Sequence, residues 1–271
     1  MAAVSTMEFD YDRETALTST GAGRFSTELS SAWNIGENPN GGYLLAPVLQ
    51  AMQQVSGHPD PLTVTTHYLR PGAAGPAEIE ADALRSGRTV GTVRGRLSQD
   101  GRTKLESIAA FTDLDIGKHV ADVGRPPVEL PPPDDCPSRL ELPQGVDLAI
   151  MDRVDVRIHP DHVASGTRST PDISGWIRFS DERPIDAASL TLFADAFPPS
   201  VFSLLGRIGW VPTIELTVQV RRRPVNGWIR AHFETSDLSN QRLIEDGWLW
   251  DESGALVAMS RQVGLVLVAD E

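Results

Sequence analysis

Apolar residues recur at helical spacing over residues 44–55, directly behind Asn40-Gly41-Gly42-Tyr43, and predict a helix there. The period then shortens. Residues 62–69 are rich in Thr, Val and Tyr and read as a strand closed by Arg70-Pro71. Residues 78–84 and 89–97 read as two more, and the turn pair Asp100-Gly101 leads into a fourth at 104–111. The same order returns later. Residues 185–197 predict a helix and Thr213–Val220 a strand that ends near Arg223-Pro224. Strands at 228–233 and 243–250 follow, then the turn Ser253-Gly254 and a last strand over 256–268. Pro71 and Pro224 stand 153 residues apart, as do Gly101 and Gly254, Ser86 and Ser239, and Ser107 and Ser260. The chain therefore predicts an α+β fold of two similar halves. Each is an antiparallel meander wrapped around its own central helix. Trp248 and Trp250, in alternation, predict that this second-half sheet has one packed face.

Between the halves the pattern lapses. Pro126, Pro127, Pro131, Pro132, Pro133, Pro137 and Pro143 fall in one stretch, and proline fixes φ and removes a backbone donor. Residues 115–145 are read as an extended linker crossing a surface between an N-terminal domain, 1–114, and a C-terminal domain, 146–271.

Composition narrows the partners. Hydrophobic residues make up 40% of the 271 and charged residues 23%, enough for a core, and the net charge of −13 repels nucleic acid and anionic lipid. The single cysteine, Cys136, excludes an intrachain disulfide and a cysteine metal site. With no secretory leader in residues 1–25 and no apolar run of about 18 residues, a cytoplasmic protein is expected. Gly-x-Ser-x-Gly and P-loop motifs are absent, and Ser26 stands where a dinucleotide fingerprint begun at Gly21-Ala22-Gly23 needs its third glycine. His159 and His162, flanking Pro160-Asp161, read as polar surface rather than metal ligands. No metal or cofactor is expected.

Several segments together resemble the type II acyl-CoA thioesterases. In the first half these are Gly41-Gly42, Tyr68-Leu69-Arg70-Pro71 and Leu84-Arg85-Ser86-Gly87-Arg88. In the second they are Val154–Ile158, Trp176-Ile177-Arg178, Ala194-Asp195, Thr213-Ile214-Glu215 and residues 257–264. The resemblance implies a double hot-dog fold, an acyl-CoA substrate, and an attacking water held by Asp195, Thr213 and Gln262. It has departures. Glu215-Leu216 replaces an Asp-His pair, the loop after Asp195 is shorter, and the strand from Thr213 is longer, so Thr217 rivals Thr213 for the threonine role.

The residues themselves bear on that chemistry. Asp195 lies between Phe193-Ala194 and Ala196-Phe197; burial would raise its pKa toward that of a useful base, whereas a solvated helix face would leave it inert. Gln262 carries an amide able to donate to and accept from a water, or it faces outward from an alternating strand. Gly41 and Gly42 either offer backbone donors to a thioester carbonyl at a helix start or permit a tight turn. Arg221, Arg222 and Arg223 read as a solvated edge, with coenzyme A phosphates as the other role. Gln50 or a neighbour is expected where Asp195 stands in the other half, giving one complete set per chain. Two other functions share the fold: a non-catalytic acyl-CoA-binding protein, and an enoyl-CoA hydratase-type enzyme, whose Asp–His pair is missing around Asp195. Exposed sheet edges predict a homo-oligomer.

Overall fold

The computed structural model describes residues 9–118, 120–121, 123–142, 145–206 and 209–268; Pro143 of the proline-rich stretch and residues 1–8 of the N-terminal segment lie outside these. In the first half, α1 (Asp10–Glu14), β1 (Thr18–Gly21) and β2 (Arg24–Leu29) precede the long helix α2 (Gly41–Ser56). Then come β3 (Asp60–Tyr68), β4 (Gly75–Arg85), β5 (Gly91–Gln99) and β6 (Arg102–Thr112). The second half begins with β7 (Val154–Ile158) and β8 (Asp172–Phe179), followed by the short helices α3 (Ser189–Phe193) and α4 (Phe202–Leu205). Its meander is β9 (Thr213–Val220), β10 (Ile229–Ser239), β11 (Arg242–Trp250) and β12 (Leu256–Leu265).

Two antiparallel sheets were expected, one per half, and the structure joins the strands of both into one large sheet. Twelve strands are hydrogen-bonded in the order β1-β2-β4-β5-β6-β3-β9-β12-β11-β10-β8-β7, each antiparallel to its neighbours. Read outward from β3 and β9, the two halves repeat the same order. The junction runs from Glu215↔His67 to Gln219↔Thr63, and Thr65 and Thr217 share a hydroxyl hydrogen bond of 2.9 Å across it. Each half ends in an unpaired inner edge, and joining the edges satisfies both rows of backbone groups.

The first helix forms where the apolar spacing put it. Asn40 caps it by accepting from the Tyr43 amide at 3.0 Å, and Gly57, at φ 71°, ends it in the left-handed conformation. It packs on β2 through β6 and buries Leu45, Leu49 and Met52. Its approach to β5 is close: a Cβ at Gly95 would lie 2.5 Å from Met52 Sδ and 2.7 Å from Val48 Cγ1.

The second helix is much shorter than residues 185–197. Asp186 Oδ1 accepts from the Ser189 amide and hydroxyl at 2.8 and 2.7 Å, so these side chains serve the local turn, and the helix begins only at Ser189. At the other end, Pro198 disfavours helical backbone at Phe197. Asp195 thus sits beyond the helix, in a tightened turn where its amide donates to the Leu192 carbonyl at 3.0 Å.

Trp248 and Trp250 do lie on a packed face, but it is the outer one. The proline-rich stretch runs across it and supplies acceptors: Trp250 Nε1 donates to the Arg125 carbonyl at 3.0 Å, Arg230 to that of Val128 at 2.7 Å, and Trp176 Nε1 to that of Pro131 at 2.9 Å. A segment poor in N–H donors still has carbonyls, and the sheet's indoles and guanidinium meet them. Cys136 is buried at its end. Inside, one apolar core crosses both halves. Trp33 stacks on Tyr43 with centroids 5.0 Å apart, and Tyr11 joins Trp33 to Phe179 at 5.9 and 5.1 Å. Among the described residues no helix is long and apolar enough to cross a membrane.

Because the helix rests directly on Gly95, Gly95→Val is expected to cost about 1–3 kcal/mol through overpacking. Urea unfolding checks this; an unchanged midpoint would mean that the contact yields freely.

Candidate active site

The site forms where the N-terminus of α2 meets the turn after α3. Asp195 Oδ2 accepts from the Gly42 amide at 2.9 Å and from Asn40 Nδ2 at 2.7 Å; Asn40 Nδ2 also reaches the Asp195 carbonyl at 3.0 Å. Asn40 therefore works twice, with its oxygen capping its own helix and its nitrogen holding the carboxylate of the other half. The bonds from Gly42 and Asn40 both end on Oδ2, so Oδ1 is the oxygen better placed to meet a water proton. Two effects oppose each other at this carboxyl. Burial raises its pKa, while the Gly42 amide, the Asn40 side chain and the Gly41 amide lower it; burial wins, and the value rises to about 6.

Gly41 and Gly42 have a packing reason to be glycines. A Cβ on Gly42 would stand 2.8 Å from Leu192 Cα, and one on Gly41 would stand 3.0 Å from the Tyr68 ring. The donor of Gly42 is already spent on Asp195 and is not available to a thioester carbonyl. Gly42 and Asp195 are 153 residues apart, the spacing of the internal repeat. Gln50, expected at that place, instead donates to Thr15 Oγ1 at 2.7 Å.

Thr213 and Gln262 are brought together on the inner face, where Gln262 Nε2 donates to Thr213 Oγ1 at 2.8 Å. A bulge between Thr213 and Glu215 makes this possible. From Leu216 onward, alternate residues of β9 face the core (Leu216, Val218 and Val220), and strict alternation would turn Thr213 outward. The extra residue reverses the phase. Gln262 pairs with Leu216 and so shares its inward face. Thr217, one position out of that phase, points to the other face and bonds Thr65 and Glu215.

Asp195, Thr213 and Gln262 line one cavity of about 580 Å³ together with Asn40, Gly41 and Tyr68. Its walls are mainly apolar, with Leu44, Leu148, Phe197, Phe202, Phe233 and Leu265 among them. Asn40, Tyr68 and Glu245 are polar lining groups to which sequence analysis assigned no role. Asn40 had a legible signal, since Asn before a helix start is a common cap. The Tyr68 hydroxyl is buried with no hydrogen-bond partner among the described residues, and burial, then the charges of Asp195 and Glu215, raise its pKa. Glu245 is a carboxyl at an inward position of β11, and an acidic residue in an inward slot was the available signal.

The other candidates lie elsewhere. Nδ1 of His162 accepts from the Ser174 amide at 2.8 Å and Nδ1 of His159 from that of Asp161 at 3.1 Å. Arg223 bonds both oxygens of Asp60, at 2.9 and 2.7 Å, and pairs with Asp113 and Asp115. Arg221 is exposed.

Comparisons with known proteins agree with this architecture. Residues 29–112 match the family model of the acyl-CoA thioesterase N-terminal domain, and residues 133–266 match that of the C-terminal domain. A solved structure from Thermobifida fusca, assigned as a thioesterase II, superposes with a TM-score of 0.87 at 34% identity, covering 96% of this chain and 98% of that one. A hot-dog-fold protein from Alicyclobacillus acidocaldarius superposes with a TM-score of 0.84 at 23% identity over 96% and 98% of the two chains. An uncharacterized protein of Mycobacterium tuberculosis is 25% identical, with 89% of this chain and 90% of that protein covered.

Two variants test the seating of the carboxylate. Gly42→Ala pushes a methyl against backbone and is expected to lower both thermal stability and turnover, the latter by at least ~10-fold, because small displacements of a positioned group are costly. Asp195→Asn should act oppositely on stability. A carboxyl whose folded pKa exceeds its unfolded value takes up protons more readily when folded, so stability declines as pH rises from the unfolded value of about 4 through about 6. Removing that group should raise the melting temperature above pH 6 and flatten this part of the profile; equal melting of the two proteins at pH 7 would contradict the burial argument.

Proposed function

The chain belongs to the acyl-CoA thioesterase family, and on that premise we propose that it hydrolyses a fatty acyl-CoA to the free acid and coenzyme A. The observation that carries the reading is the meeting of three groups on one apolar cavity: a carboxylate held through Oδ2, and a threonine and glutamine already bonded to each other. The cavity accepts the acyl chain with the thioester near its polar wall. Thr213 and Gln262 hold a water, and Asp195 Oδ1 takes one of its protons. The water oxygen attacks the carbonyl carbon, and the tetrahedral adduct collapses with cleavage of the C–S bond. The proton held on Asp195 passes to the departing thiolate, which restores the carboxylate. With a pKa of about 6, the base is ionised at neutral pH yet still basic enough to serve.

The same reading includes a cytoplasmic location and a homo-oligomer, for which the outermost strand β1 is an open edge of the sheet, whereas the outer side of β7 is partly capped by Ser138, bridged to Arg157. Light scattering should give a mass above the 29.4 kDa of one chain; a pure monomer would remove the oligomer from the proposal.

Free-thiol release from a panel of acyl-CoAs is the direct test. Asp195→Asn should lose ~10²–10⁴-fold in kcat with little change in KM. Thr213→Ala and Gln262→Ala should each lose less, and together less than the product of their separate effects, because both hold one water. Thr217→Ala, on the opposite face, should run near the parent rate. Below pH 6 the rate should fall tenfold per pH unit as the base is protonated. Parent turnover by Asp195→Asn would end the assignment.

A further inference from the structure

Thioester hydrolysis needs a donor for the negative charge that develops on the carbonyl oxygen, and the donors nearest Asp195 are already engaged. The Gly42 amide and Asn40 Nδ2 end on Asp195, and Gln262 Nε2 donates to Thr213. The Gly41 amide also faces the Asp195 carboxyl and lowers its pKa. The Tyr68 hydroxyl is not engaged. Its oxygen is buried without a hydrogen-bond partner among the described residues, although the Asp195 charge is near enough to act on it.

This hydroxyl sits at the end of the cavity where the water-holding candidates meet. The Tyr68 residue lines the cavity wall. A Cβ added at Gly41 would stand 3.0 Å from Cε1 and Cζ of Tyr68 and 3.1 Å from Asp195 Oδ2. The phenol end and the carboxylate therefore flank one point at the start of α2. His67 pairs with Glu215 across the junction of β3 and β9, which sets Tyr68 beside the bulge that turns Thr213 inward. A buried hydroxyl without a partner destabilises a fold and calls for a reason. A substrate oxygen that binds it supplies one.

We propose that Tyr68 is a further catalytic residue, whose hydroxyl donates to the thioester carbonyl oxygen and holds the oxyanion of the tetrahedral adduct. The inference rests on the thioesterase reading. As the water oxygen bonds the carbonyl carbon, one water proton goes to Asp195 and the π pair of the C=O bond moves onto its oxygen. Negative charge thus passes from the carboxylate to the carbonyl oxygen, and the Tyr68 O–H meets it there without giving up its own proton. When the C–S bond breaks, the C=O bond re-forms and the sulfur takes the proton from Asp195. A hydrogen bond that strengthens as this charge develops favours the transition state over the bound substrate. Burial first, and then the charges of Asp195 and Glu215, raise the pKa of the phenol, so at neutral pH it is a donor and not a base.

Thiol release from decanoyl-CoA and thermal melting are compared for the parent protein and Tyr68→Phe, which keeps the ring and removes only the hydroxyl. The variant should lose about 10²–10³-fold in kcat, the loss typical of one oxyanion donor, with KM little changed. Its melting temperature should hold or rise, because no bond within the protein is lost. Parent kcat together with a lower melting temperature would mean a structural hydroxyl and overturn the inference. A second readout is independent of turnover. The ketone analogue of decanoyl-CoA, with a methylene in place of the sulfur, cannot be hydrolysed, and its carbonyl stretch is read by isotope-edited infrared spectroscopy. The stretch should lie at lower frequency in the parent complex than in that of Tyr68→Phe; equal frequencies defeat the proposal. Lack of thiol release from every acyl-CoA would sink the thioesterase reading, and the infrared comparison would still decide whether Tyr68 bonds the carbonyl. Failure of the parent to bind the ketone would overturn the role of Tyr68 outright.

Discussion

A carboxylate from one half of the chain rests on the first helical turn of the other. Asp195 accepts from Asn40 and Gly42, and much else follows from that contact. The N-terminus of a helix offers unsatisfied donors and the positive end of its dipole, so a carboxylate is at home there. The seat also demands close approach. Only a glycine at position 42 lets α2 come within reach of Leu192, and only a helix that stops at Phe193 leaves Asp195 turned toward it. Placing a half-buried anion on a helix end sets desolvation against hydrogen bonding, and desolvation prevails.

The joined sheet makes this contact durable. β3 and β9 pair along their length, so Tyr68 from the first half and Thr213 from the second reach the same cavity from neighbouring strands. The repeat is symmetric in strand order but not in chemistry. One half supplies a long capped helix whose donors face outward from its end; the other supplies the acid, the threonine and the glutamine. The second half thus carries all three candidates, and the first half carries the donors that seat the acid.

Both faces of the second-half sheet are covered, by different means. The inner face meets helices and the cavity. The outer face carries Trp176, Trp248 and Trp250, and the proline-rich stretch lies on it through carbonyls that accept from Trp and Arg. Period-two alternation alone could not say which set of residues faced the cavity. For β11 the conspicuous tryptophans drew attention to one set, while Leu243, Glu245, Gly247 and Leu249 formed the inner one.

Local pattern determined a good deal by itself. The apolar spacing of α2, the strand Thr213–Val220 and the doubled order of elements were legible because propensity and periodicity act over a few residues. Asp195, Thr213 and Gln262 were named through family resemblance, not through anything local. Tertiary structure decided the rest. Whether Thr213 or Thr217 faces the cavity turns on a one-residue bulge, and a bulge exists only relative to a partner strand. Whether Asp195 is held at the cavity wall turns on Asn40 and Gly42, far away in sequence, and the fusion of two sheets into one turns on edges that see each other only after folding. Sequence sets what each segment prefers; contacts between distant segments set its phase, its neighbours and its proton affinity, because those energies belong to pairs and not to residues.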